Sequence, residues 1–235
     1  MKIYNTLSKS VETITSTSNN VIGFYACGPT VYDFAHIGHL RRYIMDDVLV
    51  RTLEKTGHEV QHVMNVTDVG HLVSDEDTGE DKVEKAAREK QVTAKEIAEQ
   101  YEADFWQKLE RVNVQRPDVV CRATDHISEQ IALVKQLETK GLTYIIPDDG
   151  VYFDTSKDPH YGELANLQLD QLQEGARIGV VEGKRQPSDF ALWKFSSKGE
   201  KRQMEWDSPW GVGFPGWHIE CSAMSLKYLG EQFEL

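Results

Sequence analysis

Residues 21–39 read VIGFYACGPTVYDFAHIGH, and the change of texture inside this stretch decides the fold. Its first six residues, Val21 to Ala26, are an apolar run of strand length, ended by the turn-forming Cys27-Gly28-Pro29. From Ile37 the spacing becomes helical. Leu40, Tyr43, Ile44, Val48, Leu49 and Leu53 recur at steps of three or four, until Gly57 closes the segment in C-cap fashion. EVQHVMNV, Glu59 to Val66, then reads as a second strand. Strand, loop, helix, strand is a βαβ unit, with parallel strands and a right-handed crossover. The fold class this predicts is α/β, with a Rossmann-like parallel sheet.

Outward from there, Thr67 to Asp81 is polar and acidic and is expected to form a mobile surface loop. Thr93 with Glu96 makes a capping box, so a helix should run from there to about Val112, with Arg116-Pro117 beyond its end. A second helix is expected from Asp125 to Lys140, stopped by Gly141. In TYIIPDDGVYFDT two β-rich runs flank Pro147-Asp148-Asp149-Gly150, a hairpin signal, and short apolar pieces follow at Ile178 to Val181 and Phe190 to Phe195. Residues 1–117 are therefore read as the first half of the Rossmann-like domain and 118–206 as an inserted α+β subdomain. Residues 207–235 return to the first domain through a helix from Trp217 to Leu229, and the closing Phe233-Glu234-Leu235 starts like a strand.

Bulk properties narrow the classes of function. The 235 residues are 40% hydrophobic and 27% charged, ordinary for a soluble globular protein. No run approaches the ~18 apolar residues of a membrane span, and the N-terminus MKIYNTLSKS lacks the apolar stretch of a secretory signal. A cytoplasmic protein without a membrane partner is expected. Cys27, Cys121 and Cys221 are too dispersed for a disulfide framework, which leaves reduced thiols or metal ligands. A net charge of −12 argues against a nucleic-acid surface over the whole chain and favours a small-molecule enzyme.

The chemistry concentrates at His36-Ile37-Gly38-His39. Two imidazoles three residues apart at a helix start face the same way. Unpaired backbone N–H groups and the positive end of the helix dipole favour phosphate there. Imidazole N–H donors can follow charge onto a leaving pyrophosphate, and Gly38 removes a side chain that would keep a nucleotide off the backbone. Taken singly, Cys27 and Cys221 fit small core residues as well as metal ligands.

CGPTVYDFAHIGH, Cys27 to His39, resembles the first signature of class I aminoacyl-tRNA synthetases, with the opening cysteine of the cysteine-specific members. NVTD at Asn65 to Asp68, DTGEDK at Asp77 to Lys82, DFALWK at Asp189 to Lys194 and SPWGVGFPGWHIECSAM at Ser208 to Met224 resemble further blocks of that family, in the same order. The resemblance implies ATP-dependent activation of L-cysteine to cysteinyl-adenylate, with Mg2+, and transfer to tRNA(Cys) by a monomeric enzyme. It implies that His36 and His39 are catalytic and that Gly28, Thr30, His36, Gly38 and His39 bind ATP. Thr67 and Trp217 would line the amino-acid pocket, while Cys27 and Cys221 would be two ligands of a zinc ion holding the substrate thiolate. Zn2+ favours a thiolate over the harder serine hydroxyl, a discrimination that can reach ~10^4. The spacing of His218 to Cys221 would suit a ligand, but the resemblance implies packing or support of the ligands instead, and Cys121 falls in no family block.

The family pattern continues past residue 235 with two further zinc ligands, the lysine-rich KMSKS signature and tRNA-gripping helical domains. The expectation is therefore an incomplete chain with little activity alone. The alternatives are a paralogous ligase that passes cysteine to an amino sugar, and a non-catalytic nucleotide- or metal-binding remnant.

Overall fold

Two short strands, β1 (Lys2–Asn5) and β2 (Ser10–Thr13), open the chain as an exposed antiparallel ribbon. A computed structural model describes residues 1–16, 20–69, 82–167, 181–197 and 202–235. The βαβ unit follows: β3 (Val21–Ala26), α1 (Ile37–Lys55) and β4 (Glu59–Val66), with β3 and β4 paired in parallel. Gly57 stands at φ +92, as a helix stop requires. After α2 (Lys82–Lys90) and α3 (Ala94–Arg111), β5 (Val119–Arg122) joins β4 in parallel, giving the order β3-β4-β5. Thr93 caps α3 and Glu96 reciprocates, as their spacing predicts.

Strand alternation sorts the sheet's side chains into two cores. Phe24, Ala26 and Met64 pack with Tyr43 and Val50 of α1 and Phe105 and Leu109 of α3. On the other face Val63 and Cys121 pack with residues of α4 (Ile127–Thr139) and α5 (Trp217–Leu229). Helices cover both faces, which is why the strands read as nearly continuous apolar runs. This is the α/β, Rossmann-like sheet expected. Between α4 and α5 a second sheet is wholly antiparallel, in the order β6 (Thr143–Ile146), β7 (Gly150–Phe153), β8 (Phe190–Phe195), β9 (Gly213–Pro215). β6 and β7 form the expected hairpin.

Several expectations change. Ile44 and Val48 of α1 are exposed, and the buried set is Tyr43, Asp47, Val50 and Leu53. Asp47 is tolerated inside because its carboxylate accepts from Gln115 N (2.8 Å) and Arg51 Nε (2.7 Å). Thr67, Asp68 and Val69, expected on a surface loop, are buried; Asp68 accepts from Thr124 N at 3.0 Å. The rest of that loop, with His71, lies outside the described residues, as do Ile178 to Val180 and most of DTGEDK. The second helix is preceded by a 3-10 turn, Thr124–His126, before α4 begins. β5 falls within residues 118–206 yet belongs to the parallel sheet. At the outer edge of β3, Leu235 N donates to Gly23 O (3.0 Å) and Tyr25 N donates to Leu235 O (2.9 Å), the bonding pattern of a parallel bridge. Among the described residues no helix is long and apolar enough to cross a membrane.

One buried group ties stability to pH. His62 of β4 stacks on Phe24 and is 6% exposed, and its Nε2 finds no hydrogen-bond partner among the described residues. Burial holds its imidazole down, from the ordinary 6.5 to about 4, with Arg42 adding to the effect and Asp118 opposing it. The folded state thus keeps His62 neutral where the unfolded chain takes up a proton. Its contribution is complete above pH 6.5 and falls away as the pH drops toward 4, by about 3 kcal/mol in all. Urea unfolding from pH 7.5 to 4.5 should show this loss in the native chain and a much flatter curve for His62→Phe. Parallel curves would exclude His62 as the cause.

Candidate functional site

The carboxyl ends of β3 and β4 meet the start of α5. Cys27 is the first residue beyond β3, and on α5 the residues Trp217, Glu220 and Cys221 share one helix face. The Sγ atoms of Cys27 and Cys221 are 3.6 Å apart, although 194 positions separate them in sequence.

Two glycines make this approach possible. A Cβ on Gly28 would stand 1.5 Å from Asn65 O, and one on Gly216, just before α5, 2.0 Å from Ala191 O. Neither position has room for any other residue with the backbone as it is. Gly28 N–H donates to Asn65 Oδ1 (2.9 Å), and the Asn65 amide donates to Thr67 Oγ1 (3.1 Å). Thr67 Oγ1 in turn donates to Glu220 Oε2 (3.3 Å), while the Cys221 thiol lies 3.7 Å from Asn65 Oδ1. Asn65 and Glu220 are both fully buried. The loop itself is pinned: Thr30 bridges Thr67, Val31 N donates to Thr67 O (3.1 Å), and Thr67 N donates to Pro29 O (2.9 Å).

The hydrogen bond to Cys27, and then burial, push the Cys221 thiol far above its usual range. Two thiolates this close cannot both form without a cation between them. Zinc–thiolate bonds of ~2.3 Å in tetrahedral geometry would set two sulfurs about 3.8 Å apart, close to the 3.6 Å found. The pair therefore fits two corners of such a site. No group of three or more His, Cys, Asp or Glu residues suited to a metal occurs among the described residues.

Further along the same loop, His36 is the N-cap of α1. Its Nδ1 accepts from Gly38 N (3.1 Å), and His39 Nδ1 accepts from His36 N (3.2 Å). The rings stack with centroids 3.8 Å apart. A Cβ on Gly38 would come within 2.9 Å of the His36 ring. Because both Nδ1 atoms accept, each neutral ring carries its proton on Nε2. Burial, then the neighbouring His36, lowers the pKa of His39. The helix start thus offers two Nε2–H donors, whereas one of its backbone groups, the Gly38 N–H, is already taken by His36 Nδ1.

The structure brings Cys27, Gly28, Thr67 and Cys221 into one network, with Thr30 bridged to Thr67. His36 and His39 stand apart at the start of α1, and no described contact joins them to the thiols. Trp217 is 51% exposed and stacks on His218 at 3.5 Å; His218 also packs on Phe190. Sequence reasoning missed Asn65 and Glu220 as members of the network. Their signal was a polar residue inside an apolar strand and an acid next to Cys221 on an otherwise apolar helix face. Cys121 is a buried residue of β5, where its thiol donates to Met64 O (3.6 Å) and burial raises it to about 11. Trp193 is fully buried beside Trp210, whose Nε1 donates to Glu138 (3.1 Å).

Comparison with known proteins places this geometry. The chain is 52% identical over its whole length to the cysteine–tRNA ligase of Treponema denticola, covering 48% of that protein. It is 53% identical to cysteine–tRNA ligase 1 of Burkholderia lata, covering 50% of it, and 47% identical to the cysteine–tRNA ligase of Deinococcus radiodurans, covering 46%. The chain thus spans about half the length of the curated relatives it matches. Residues 13–235 match the family model for the catalytic domain of class I (C) tRNA synthetases. With a sulfur pair and a histidine-capped helix beyond the first strand of a parallel sheet, the chain belongs to the class I (C) tRNA synthetase catalytic domain family.

Proposed function

We propose that this chain binds ATP and L-cysteine and carries the half-site that forms cysteinyl-adenylate, for transfer to tRNA(Cys), as its relatives' names imply. The observation that supports it most is the 3.6 Å approach of Cys27 to Cys221 at the carboxyl end of β3. In an open α/β sheet ligands bind outside the carboxyl ends of the strands.

In this reading the cysteine carboxylate attacks the α-phosphorus of ATP, and pyrophosphate leaves with Mg2+. The Nε2–H groups of His36 and His39 donate to phosphate oxygens as charge builds there. Gly28, Thr30 and Gly38 keep the loop close and bare beneath the nucleotide. Thr67, held between Asn65 and Glu220, and Trp217 border the amino acid. Cys27 and Cys221 would hold Zn2+, which when bound supplies a soft acid that prefers the substrate thiolate to a hydroxyl. The dispersed thiols suit a reducing compartment such as the cytoplasm. For the domain layout, the separate antiparallel sheet supports an inserted unit, though its last strand, β9 (Gly213–Pro215), carries it past residue 206. The place of β5 in the parallel sheet favours a start nearer Thr143.

Calorimetric titration of the zinc-loaded chain with non-hydrolysable cysteinyl- and seryl-adenylate analogues tests this. The cysteinyl analogue should bind at least ~10^3-fold more tightly, and Cys221→Ser should abolish most of that preference. Equal affinities for the two analogues would sink the proposal.

A further inference from the structure

We propose that Cys27 and Cys221 are also a modification site: in the metal-free chain, peroxide converts them to a reversible disulfide that closes the amino-acid site. The proposal rests on the proposed function for the amino-acid site and for the protection by zinc described below.

The geometry carries it. The two sulfurs are 3.6 Å apart, so joining them needs a closure of about 1.6 Å to reach the ~2.05 Å of a disulfide, within reach of side-chain rotation. Cys27 is exposed and Cys221 half-buried. An oxidant in solvent therefore meets Cys27 first, and Cys221 is already in place behind it. Cys121 is buried on β5 with its thiol turned to Met64 O, and it takes no part.

The steps balance. Cys27 sulfur attacks one oxygen of hydrogen peroxide; the O–O bond breaks, the sulfur becomes a sulfenic acid, and one water leaves. Cys221 sulfur then attacks the Cys27 sulfur. The S–S bond forms, the S–O bond breaks, and the departing hydroxide takes the Cys221 proton as a second water. Two thiols are oxidised, and one peroxide is reduced to two waters. The product ties the start of α5 to the end of β3, and neither sulfur is then a thiolate able to hold a cation. A dithiol reductant restores both.

The full chain, stripped of metal by chelation and treated with stoichiometric hydrogen peroxide, is analysed by peptide mapping without reduction. A cross-linked pair of peptides containing Cys27 and Cys221 is expected, with the chain lighter by about 2 Da and the link reversed by dithiothreitol. Cys121→Ser should form the same link, and Cys27→Ser should not. Preloading with zinc should slow linking at least ~10-fold, since the thiolates are then engaged. Over-oxidation of Cys27 to sulfinic acid while Cys221 stays reduced, or links running to Cys121 or between chains, would overturn the proposal. Linking at the same rate with zinc present would instead uphold the disulfide and remove support for the metal reading.

Discussion

Gly28→Ala should cost the chain about 3 kcal/mol of stability and separate Cys27 from Cys221. The added Cβ would stand 1.5 Å from Asn65 O and 2.7 Å from Asn65 C, both backbone atoms at the end of β4. No rotamer relieves that overlap, so the loop or the strand must move. Either movement stretches the 2.9 Å bond from Gly28 N to Asn65 Oδ1 and loosens the bonds linking Asn65, Thr67 and Glu220. Gly57→Ala is the control: nothing lies within 4 Å of its Cβ, and only the positive φ of +92 opposes it, a cost of about 1–2 kcal/mol. Urea denaturation of the two variants separates the effects. A Gly28→Ala chain as stable as the native one would show that the close approach is not required.

The second large effect is expected at Asp189→Ala, far from the thiols. Asp189 is 2% exposed, and its carboxylate accepts from Tyr144 OH (2.8 Å), Thr155 N (2.9 Å), Thr155 Oγ1 (2.8 Å) and Gln186 N (3.0 Å). Removing it strands Tyr144 OH and Thr155 N in the interior, while Thr155 Oγ1 keeps Ser188 Oγ at 2.7 Å, at a cost of about 4 kcal/mol. The loss should be local, because every partner belongs to the antiparallel sheet or its flanking loops. Hydrogen exchange should therefore quicken in β6, β7 and β8 well before β3, β4 and β5. Uniform acceleration across both sheets would contradict that division. Asp189→Asn, which keeps one acceptor and turns an amide toward a donor, should fall between.

What could be read from the residues follows the range of the forces involved. β3, α1 and β4 were legible because a strand and a helix impose periods of two and 3.6 on neighbouring positions. The caps were legible too: Thr93 and Glu96 are in contact because they are three apart on a helix start. The hairpin at Pro147 to Gly150 and the bounds of α5 followed from equally local chemistry. Asp47 was only half legible: Arg51 stands four residues on in α1, but the burial depends on Gln115 N, which comes from the loop after α3. Asn65 and Glu220 were missed for the same reason: burial becomes tolerable only once Gly28 and Thr67 arrive from elsewhere. The pairing of Cys27 with Cys221 has no period at all. Only the family resemblance pointed to both.

The 194-position separation of the two thiols also has a meaning in time. During synthesis at ~5–20 residues per second, Cys27 precedes Cys221 by roughly 10–40 s. Through that interval β3, α1 and β4 can dock, because their contacts are local. Cys27, at the open end of the nascent sheet, waits without its partner sulfur. The sheet end that carries Cys27 is thus completed only after α5 has been made, well after β3, α1 and β4 can have docked.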